Sequence, residues 1–331
     1  MSDLPKHVHF HEEGPREGFQ IERGSFPLAD RAALIDALSE TGLKEIQVAS
    51  FVSPKAVPQM ADSEALFAAI KRKPGVRYDA VWLNERGYER ARAAQGVHIT
   101  GRIALYASDA FALRNNNCTA TEMRARVDSW LDRYAADGVP MERALVMAAF
   151  GCSFEGPVAP EKAIGEFAWA WRTCLARGMA GPRLYLADTM GWANPQTIRR
   201  AVGMLRDAVP EAVVGLHLHD TRGLGPANIM AALELGVSHF DSSVAGLGGC
   251  PFAGHGDAKG AGNICTEDMV FLCHEMGIET GIDLEALVEA ARLAERVIGR
   301  PLPGRLMHAG TLRPYRAKRA AASGEWASVR A

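Results

Sequence analysis

Short apolar runs alternate with longer amphipathic segments along most of the chain. Apolar stretches of about four to eight residues bounded by turn residues read as strands; apolar positions three and four apart read as helices. Strands are predicted over residues 8–12, 45–49, 77–83, 97–107, 144–150, 183–187, 213–218 and 239–243. Helices are predicted over 30–41, from about 63, and over 85–94, 119–136, 160–177, 195–208, 226–235 and 266–276. Asp30 is the expected N-cap of the first helix and Thr41-Gly42 its end. Eight strand–helix units with no linker imply a parallel sheet covered by helices. Eight units in this length predict an α/β fold, a (β/α)8 TIM barrel. A doubly wound sheet is the competitor, but no glycine fingerprint follows the first strand. One more amphipathic helix is expected over 283–298. The expected division is a catalytic barrel over residues 1–281 and a C-terminal helical extension and tail over 282–331.

Composition narrows the function classes. The 331 residues are 48% hydrophobic and 23% charged, an ordinary soluble balance. Net charge is -2 and basic residues cluster only near the C-terminus, which argues against nucleic acid or a membrane surface as partner. No apolar run approaches the roughly 20 residues that span a bilayer. Residues 1–6 show neither a signal peptide nor an Arg-rich transit segment. Cys118, Cys152, Cys174, Cys250, Cys265 and Cys273 have no paired spacing, so reduced thiols in a cytoplasmic protein are expected.

Barrel chemistry sits where strands end and the following loops begin. Arg16 and Glu17 fall there after the first strand and Ser50 after the second. Asn115, Asn116 and Asn117 follow the fourth strand, and Asp188 and Thr189 the sixth. His217 and His219 lie at the seventh and Cys250 follows the eighth. This convergence is the argument for an enzyme. His217 and His219, at alternate positions of a strand, point to one side and can grip one metal ion. Two hydrogen-bonded core histidines are the plainer alternative, but Asp220 and Glu17 tip the choice toward a divalent ion. Glu17 beside Arg16 is either a surface ion pair or a metal ligand next to a cation that steadies an enolate or carboxylate oxygen. Cys250 follows Gly246-Leu247-Gly248-Gly249, a hinge that can carry a proton-donating thiol, or else a turn with an incidental cysteine. Asp188-Thr189 can cap a helix, contact substrate or orient a histidine. His7, His9 and His11 share a strand face and are expected to be solvated or hydrogen-bonded at the barrel's base rather than to form a second metal cluster.

Several motifs together resemble the 3-hydroxy-3-methylglutaryl-CoA (HMG-CoA) lyase family of DRE-TIM metallolyases. They are Gly14-Pro15-Arg16-Glu17-Gly18-Phe19-Gln20, Ser50-Phe51-Val52-Ser53-Pro54-Lys55 with Val57-Pro58-Gln59-Met60, Asp188-Thr189-Met190-Gly191, and His217-Leu218-His219-Asp220-Thr221. Asp241 through Pro251 matches the family's lid, and Gly262-Asn263 with Thr266-Glu267-Asp268 completes the set. The resemblance implies a dimeric barrel that uses Mg2+ or Mn2+, held by Glu17, His217, His219 and Asn263. It implies that Arg16 steadies the thioester enolate, Cys250 is the lid thiol and Asp188 or His217 takes the hydroxyl proton. Arg23, Gln47, Ser50, Tyr185 and Thr189 would contact the acyl-CoA substrate, and Glu12 matches a family acid near the site.

Departures fall close to the expected acyl group. Glu17 replaces an aspartate, Gln47 a glutamate and Tyr185 a small serine, and residues 254–259 lengthen the lid. The leading expectation is cleavage of HMG-CoA to acetyl-CoA and acetoacetate. The alternatives are the same cleavage of another 3-hydroxy-3-substituted acyl-CoA, such as citramalyl-CoA or an isoprenoid glutaryl-CoA, or a Claisen-type acyltransferase of the isopropylmalate synthase kind. A non-catalytic barrel that retains metal binding is the last.

Overall fold

The computed structural model describes residues 4–22, 24–249 and 262–319. Among them, eight parallel strands alternate with helices: β1 (His9–Glu12), β2 (Glu45–Ser50), β3 (Arg77–Val81), β4 (Gly101–Tyr106), β5 (Met141–Met147), β6 (Arg183–Ala187), β7 (Val214–His217) and β8 (His239–Ser242). The sheet runs β3-β2-β1-β8-β7-β6-β5-β4, so each strand lies beside its neighbour in sequence and β8 closes onto β1. The predicted (β/α)8 TIM barrel is the observed fold. Among the described residues no ladder joins β3 and β4. That seam is held by His98, whose N–H donates to the Tyr78 carbonyl (2.7 Å), and by Arg102, whose guanidinium donates to Asp79 (2.5 Å).

Helices follow the strands at Leu28–Glu40, Ser63–Ala69, Glu85–Ala93, Ala120–Ala136, Pro160–Ala176, Pro195–Ala208, Gly225–Glu234 and Thr266–Glu275. Their starts are encoded locally. Thr119 and Glu122 form a capping box, as do Asn194 and Thr197, and Pro160 and Pro195 occupy first-turn positions that have no amide to satisfy. Helix Leu284–Ile298, capped by Asp283, packs against Leu28–Glu40, and the Asp283 N–H donates to the Thr41 carbonyl (2.7 Å). Among the described residues no helix is long and apolar enough to cross a membrane.

Four expectations shift. The first helix begins at Leu28 behind Pro27, so Asp30 lies in its first turn and caps nothing. β4 starts at Gly101 rather than at 97. β5 spans Met141–Met147 rather than 144–150, because Ala148 adopts φ 55 and ends it. The segment that carries Asn115 and Asn116 is a helix, Asp109–Asn116, and both side chains donate to the Tyr106 hydroxyl. Those asparagines therefore serve the helix end and a core tyrosine.

Alternation along the strands separates two regions. Phe10, Ile46, Val48, Leu105, Val146, Leu184, Leu186, Leu216 and Phe240 are buried under the helices. Each such side chain contributes roughly 1.5–3 kcal/mol. The intervening residues face the barrel axis, where contacts cross between distant strands. His11 Nε2 on β1 lies 2.9 Å from Asp79 Oδ2 on β3. Arg143 on β5 donates to Asp241 on β8 and to His11 Nδ1 (2.9 Å), and its guanidinium lies 3.8 Å from the Tyr185 ring centroid. His11, Glu13 and Asp241 place potential metal-ligand atoms within 4.8 Å of one another, but Arg143 already supplies the cation there. At the base, the His9 ring stacks on His239 (centroids 4.7 Å apart) and lies tilted against His7 (4.5 Å); His9 is exposed, whereas His11 is buried and hydrogen-bonded to Asp79 and Arg143.

Candidate metal and active site

His217 is the last residue of β7. His219, just beyond it, pairs its backbone with Asn263. His217 Nδ1 lies 3.0 Å from Asp241 Oδ2 and His219 Nδ1 lies 2.8 Å from the Thr189 carbonyl. Carboxylates and carbonyls only accept, so both Nδ1 atoms carry the hydrogen and both Nε2 atoms present lone pairs. Those Nε2 atoms are 3.2 Å apart, and Glu17 Oε1 is 3.8 Å from His219 Nε2. Two lone pairs and a carboxylate facing one point demand a positive charge between them. The His219 pKa expresses the same demand: burial would lower it, but Glu17 raises it above its ordinary value. Asn263 is buried and both its side-chain polar atoms lack a partner among the described residues. Two imidazoles, a carboxylate and an amide oxygen suit a divalent metal ion. The lid's base packs directly on these donors. Gly249 N–H donates to Glu17 Oε1 (3.2 Å). At Gly248 (φ +92) a Cβ would come within 3.0 Å of Glu17 Cγ and 3.1 Å of Asn263 Nδ2.

Arg16 and Glu17 are carried by Gly14–Gly18, a π-helical turn. Close approach sets this geometry: a Cβ on Gly14 would lie 2.6 Å from Glu12 Oε1, and one on Gly18 2.7 Å from Leu247 Cβ. Arg16 Nε donates to Gln47 Oε1, and Nη2 contacts Glu13 Oε2 (3.3 Å) and Glu17 Oε2 (3.1 Å). Nη1 has no partner among the described residues. Burial would raise the Glu17 carboxyl, but the Arg16 charge and the His219 contact hold it down at about 2.

Asp188 follows β6. Its Oδ1 accepts the N–H groups of Trp192 (2.7 Å) and Ala193 (3.0 Å), while Oδ2 is buried without a partner among the described residues. Burial pushes its pKa up to about 6 against the pull of His219, so it can exchange a proton near neutrality. Thr189 orients His219 through its carbonyl and spends its hydroxyl on the Ala148 N–H (2.9 Å). Ser50 donates to Gln20 (3.2 Å). Tyr185 pairs in register with Gly215, while Ala187 pairs with His217, so Tyr185 sits one interior layer below the metal ligands. Its ring fills the space a Cβ on Gly215 would need. Glu12 faces away from the metal donors. It accepts from Gly14 N (2.8 Å), Val244 N (2.8 Å) and Thr266 Oγ1 (2.6 Å), stitching β1 to the segment after β8. Cys250 and Arg23 lie outside the described residues.

Two side chains at the site went unassigned in the sequence. Asp241 orients His217, and its only signal in the sequence is its place at the head of the Asp241–Pro251 motif. Glu13 touches both Arg16 and His217, and its only signal was a second acid beside Glu12 at the end of the first strand.

The family model described as HMGL-like matches residues 7–294. The chain belongs to the HMGL-like family. A Pseudomonas aeruginosa protein named 3-hydroxy-3-isohexenylglutaryl-CoA/hydroxy-methylglutaryl-CoA lyase is 40% identical to this HMGL-like chain, over 90% of this chain and 95% of its own length. Hydroxymethylglutaryl-CoA lyase, mitochondrial, of Rattus norvegicus is 38% identical over 93% and 91%. Among solved structures, hydroxymethylglutaryl-CoA lyase from Pseudomonas aeruginosa superposes with a TM-score of 0.83 at 39% identity, covering 93% of this chain and 98% of that one. An HMG-CoA lyase from Acinetobacter baumannii in complex with coenzyme A and 3-methylmalate gives 0.80 at 36%, covering 94% and 96%. The family resemblance carried by the motifs is thus borne out across the barrel.

Proposed function

We infer that this HMGL-like protein is a divalent-metal-dependent carbon–carbon lyase that cleaves a 3-hydroxyacyl-CoA, with HMG-CoA the leading substrate and acetyl-CoA and acetoacetate the products. The observation that carries the reading is the pair of facing Nε2 lone pairs on His217 and His219, 3.2 Å apart and flanked by Glu17 and Asn263. A Mg2+ or Mn2+ ion held by these four residues would supply the charge that acidifies the substrate's 3-hydroxyl.

This chain's residues then divide the proton and electron traffic. Asp188 takes the hydroxyl proton; His217, with its hydrogen on Nδ1 and Nε2 turned to the metal position, has no free lone pair for it. The bond between C2 and C3 breaks, its electrons pass into the thioester as an enolate, and the C3 oxygen becomes the ketone carbonyl. Arg16 balances the enolate through Nη1. Cys250, directly or through water, returns a proton to the enolate carbon, giving acetyl-CoA. Gln47, Ser50, Arg23, Tyr185 and Thr189 are proposed as substrate contacts, with Tyr185 acting from the pocket floor. A barrel over 1–281 with an extension over 282–331, a homodimer and a cytoplasmic setting belong to the same reading. The last is supported by the cysteines among the described residues, Cys118, Cys152, Cys174, Cys265 and Cys273, which are buried free thiols.

The test is incubation with Mg2+ or Mn2+ and a panel of thioesters: HMG-CoA, citramalyl-CoA and a 3-hydroxy-3-isoprenoid glutaryl-CoA. Acetyl-CoA release from HMG-CoA is expected, abolished by EDTA and restored by metal. Release from another member alone reassigns the acyl group; release from none refutes the lyase reading.

A further inference from the structure

Glu13 is buried at the end of β1, and none of the chemistry above uses it. Its carbonyl accepts the N–H groups of Arg16 (3.1 Å) and Glu17 (2.8 Å), so its backbone anchors the turn that carries both. Its carboxylate spans two regions. Oε2 lies 3.3 Å from Arg16 Nη2 and 3.4 Å from His217 Nδ1. Oε1 lies 3.2 Å from His11 Nδ1 and 3.8 Å from Arg143 Nη1. It joins the charged barrel interior to the two residues on which cleavage depends.

Arg16 shows why a charge is needed there. A guanidinium is planar, so fixing Nε and Nη2 dictates where Nη1 points. Nε meets only the neutral amide of Gln47, and Nη2 meets the carboxylates of Glu13 and Glu17. When Glu17 serves a metal ion, Glu13 is the acid left to hold the guanidinium. A charge-assisted contact is about twice as strong as a neutral one. Through the same oxygen, Oε2, the carboxylate joins Asp241 in keeping the hydrogen of His217 on Nδ1.

We propose that Glu13 is a positioning residue: its carboxylate holds Arg16 with Nη1 presented to the reacting oxygen and keeps His217 in the metal-binding tautomer. The first half rests on the lyase reading; the second does not. A purely structural anchor would need only the backbone carbonyl, which any residue supplies.

Glu13→Gln preserves volume and backbone. The expected result is a roughly 10- to 100-fold fall in kcat for thioester cleavage with KM within about threefold. Mn2+ affinity, read by paramagnetic resonance of the protein without substrate, is expected to fall about tenfold. The exchange Glu13→Gln/Gln47→Glu returns a carboxylate to Arg16 through Nε. It is expected to recover about tenfold in kcat but no Mn2+ affinity, because residue 47 does not contact His217. Wild-type values on both measurements for Glu13→Gln, or an exchange variant as slow as the single one, overturn the proposal. Should Glu13→Gln fail to fold, Glu13→Asp keeps the charge on a shorter arm and is expected to show the same kcat loss; full activity overturns it. The Mn2+ titration needs no turnover. A wild-type protein that cleaves no thioester refutes the lyase reading, and the titration still judges the hold on His217.

Discussion

The two faces of the barrel sheet do different work with the same strands. Outward, Phe10, Ile46, Val48, Leu184, Leu186 and Leu216 make an apolar layer under the helices. Inward, His11, Asp79, Arg102, Arg143 and Asp241 fill the axis with paired charges. Parallel barrels commonly fill that axis with branched aliphatic residues. The outer face obtains stability from area removed from water and tolerates exchange among residues of similar volume. The inner face gains little net stability from burying charges, but each charge is costly once its partner is gone. What the inner face does supply is orientation: Asp241 and Glu13 at its upper rim fix His217 and Arg16.

The comparison can be broken most strongly from the inside. Arg143→Met leaves Asp241 buried without its cation and is expected to cost about 3–5 kcal/mol. Leu186→Ala on the outer face of β6 is expected to cost about 2–4 kcal/mol through lost contacts and a cavity. Denaturant unfolding followed by circular dichroism reads both. A second distinction sharpens the contrast: Arg143→Met should also lower metal affinity, through Asp241 and His217, while Leu186→Ala should not. Equal metal affinity in both variants would mean that the interior charges do not reach the site.

A smaller effect is expected at the base. Burial, and then the neighbouring His9, pull the His239 pKa down from 6.5 to about 4. The folded protein therefore binds fewer protons than the unfolded chain between those values. The His239 contribution to stability is fully present above pH 6.5 and declines as pH falls toward 4, by roughly 1–2 kcal/mol after allowance for partial solvation. Relative to His239→Gln, the wild-type unfolding free energy should therefore fall from pH 7.5 through 6 to 5. A slope unchanged by His239→Gln would assign the acid sensitivity elsewhere.

Much of this was legible in the sequence. Apolar periodicity gave all eight strands, and the HxH pair, Glu17 and Asn263 stood out by residue type or motif. Their convergence in the fold follows from strand ends sharing one mouth. Boundaries moved where a single residue overrode the pattern, as Pro27 did at the first helix and Ala148 at the end of β5. The ionic interior was not legible. Arg143 read as the residue before a strand, and Asp79 as one polar position within another. Their partners are 98 and 68 residues away, so only barrel closure brings them together. Glu13 was hidden for the same reason, because its contacts come from β5, β7 and the turn after β1.

The most direct test is His219→Ala, assayed for Mn2+ affinity without substrate and for acetyl-CoA release from HMG-CoA. The expected result is loss of both, with the fold intact by circular dichroism. Wild-type Mn2+ affinity in that variant, or metal-dependent acetyl-CoA release at the wild-type rate, would contradict the assignment of this site as the metal centre of a carbon–carbon lyase.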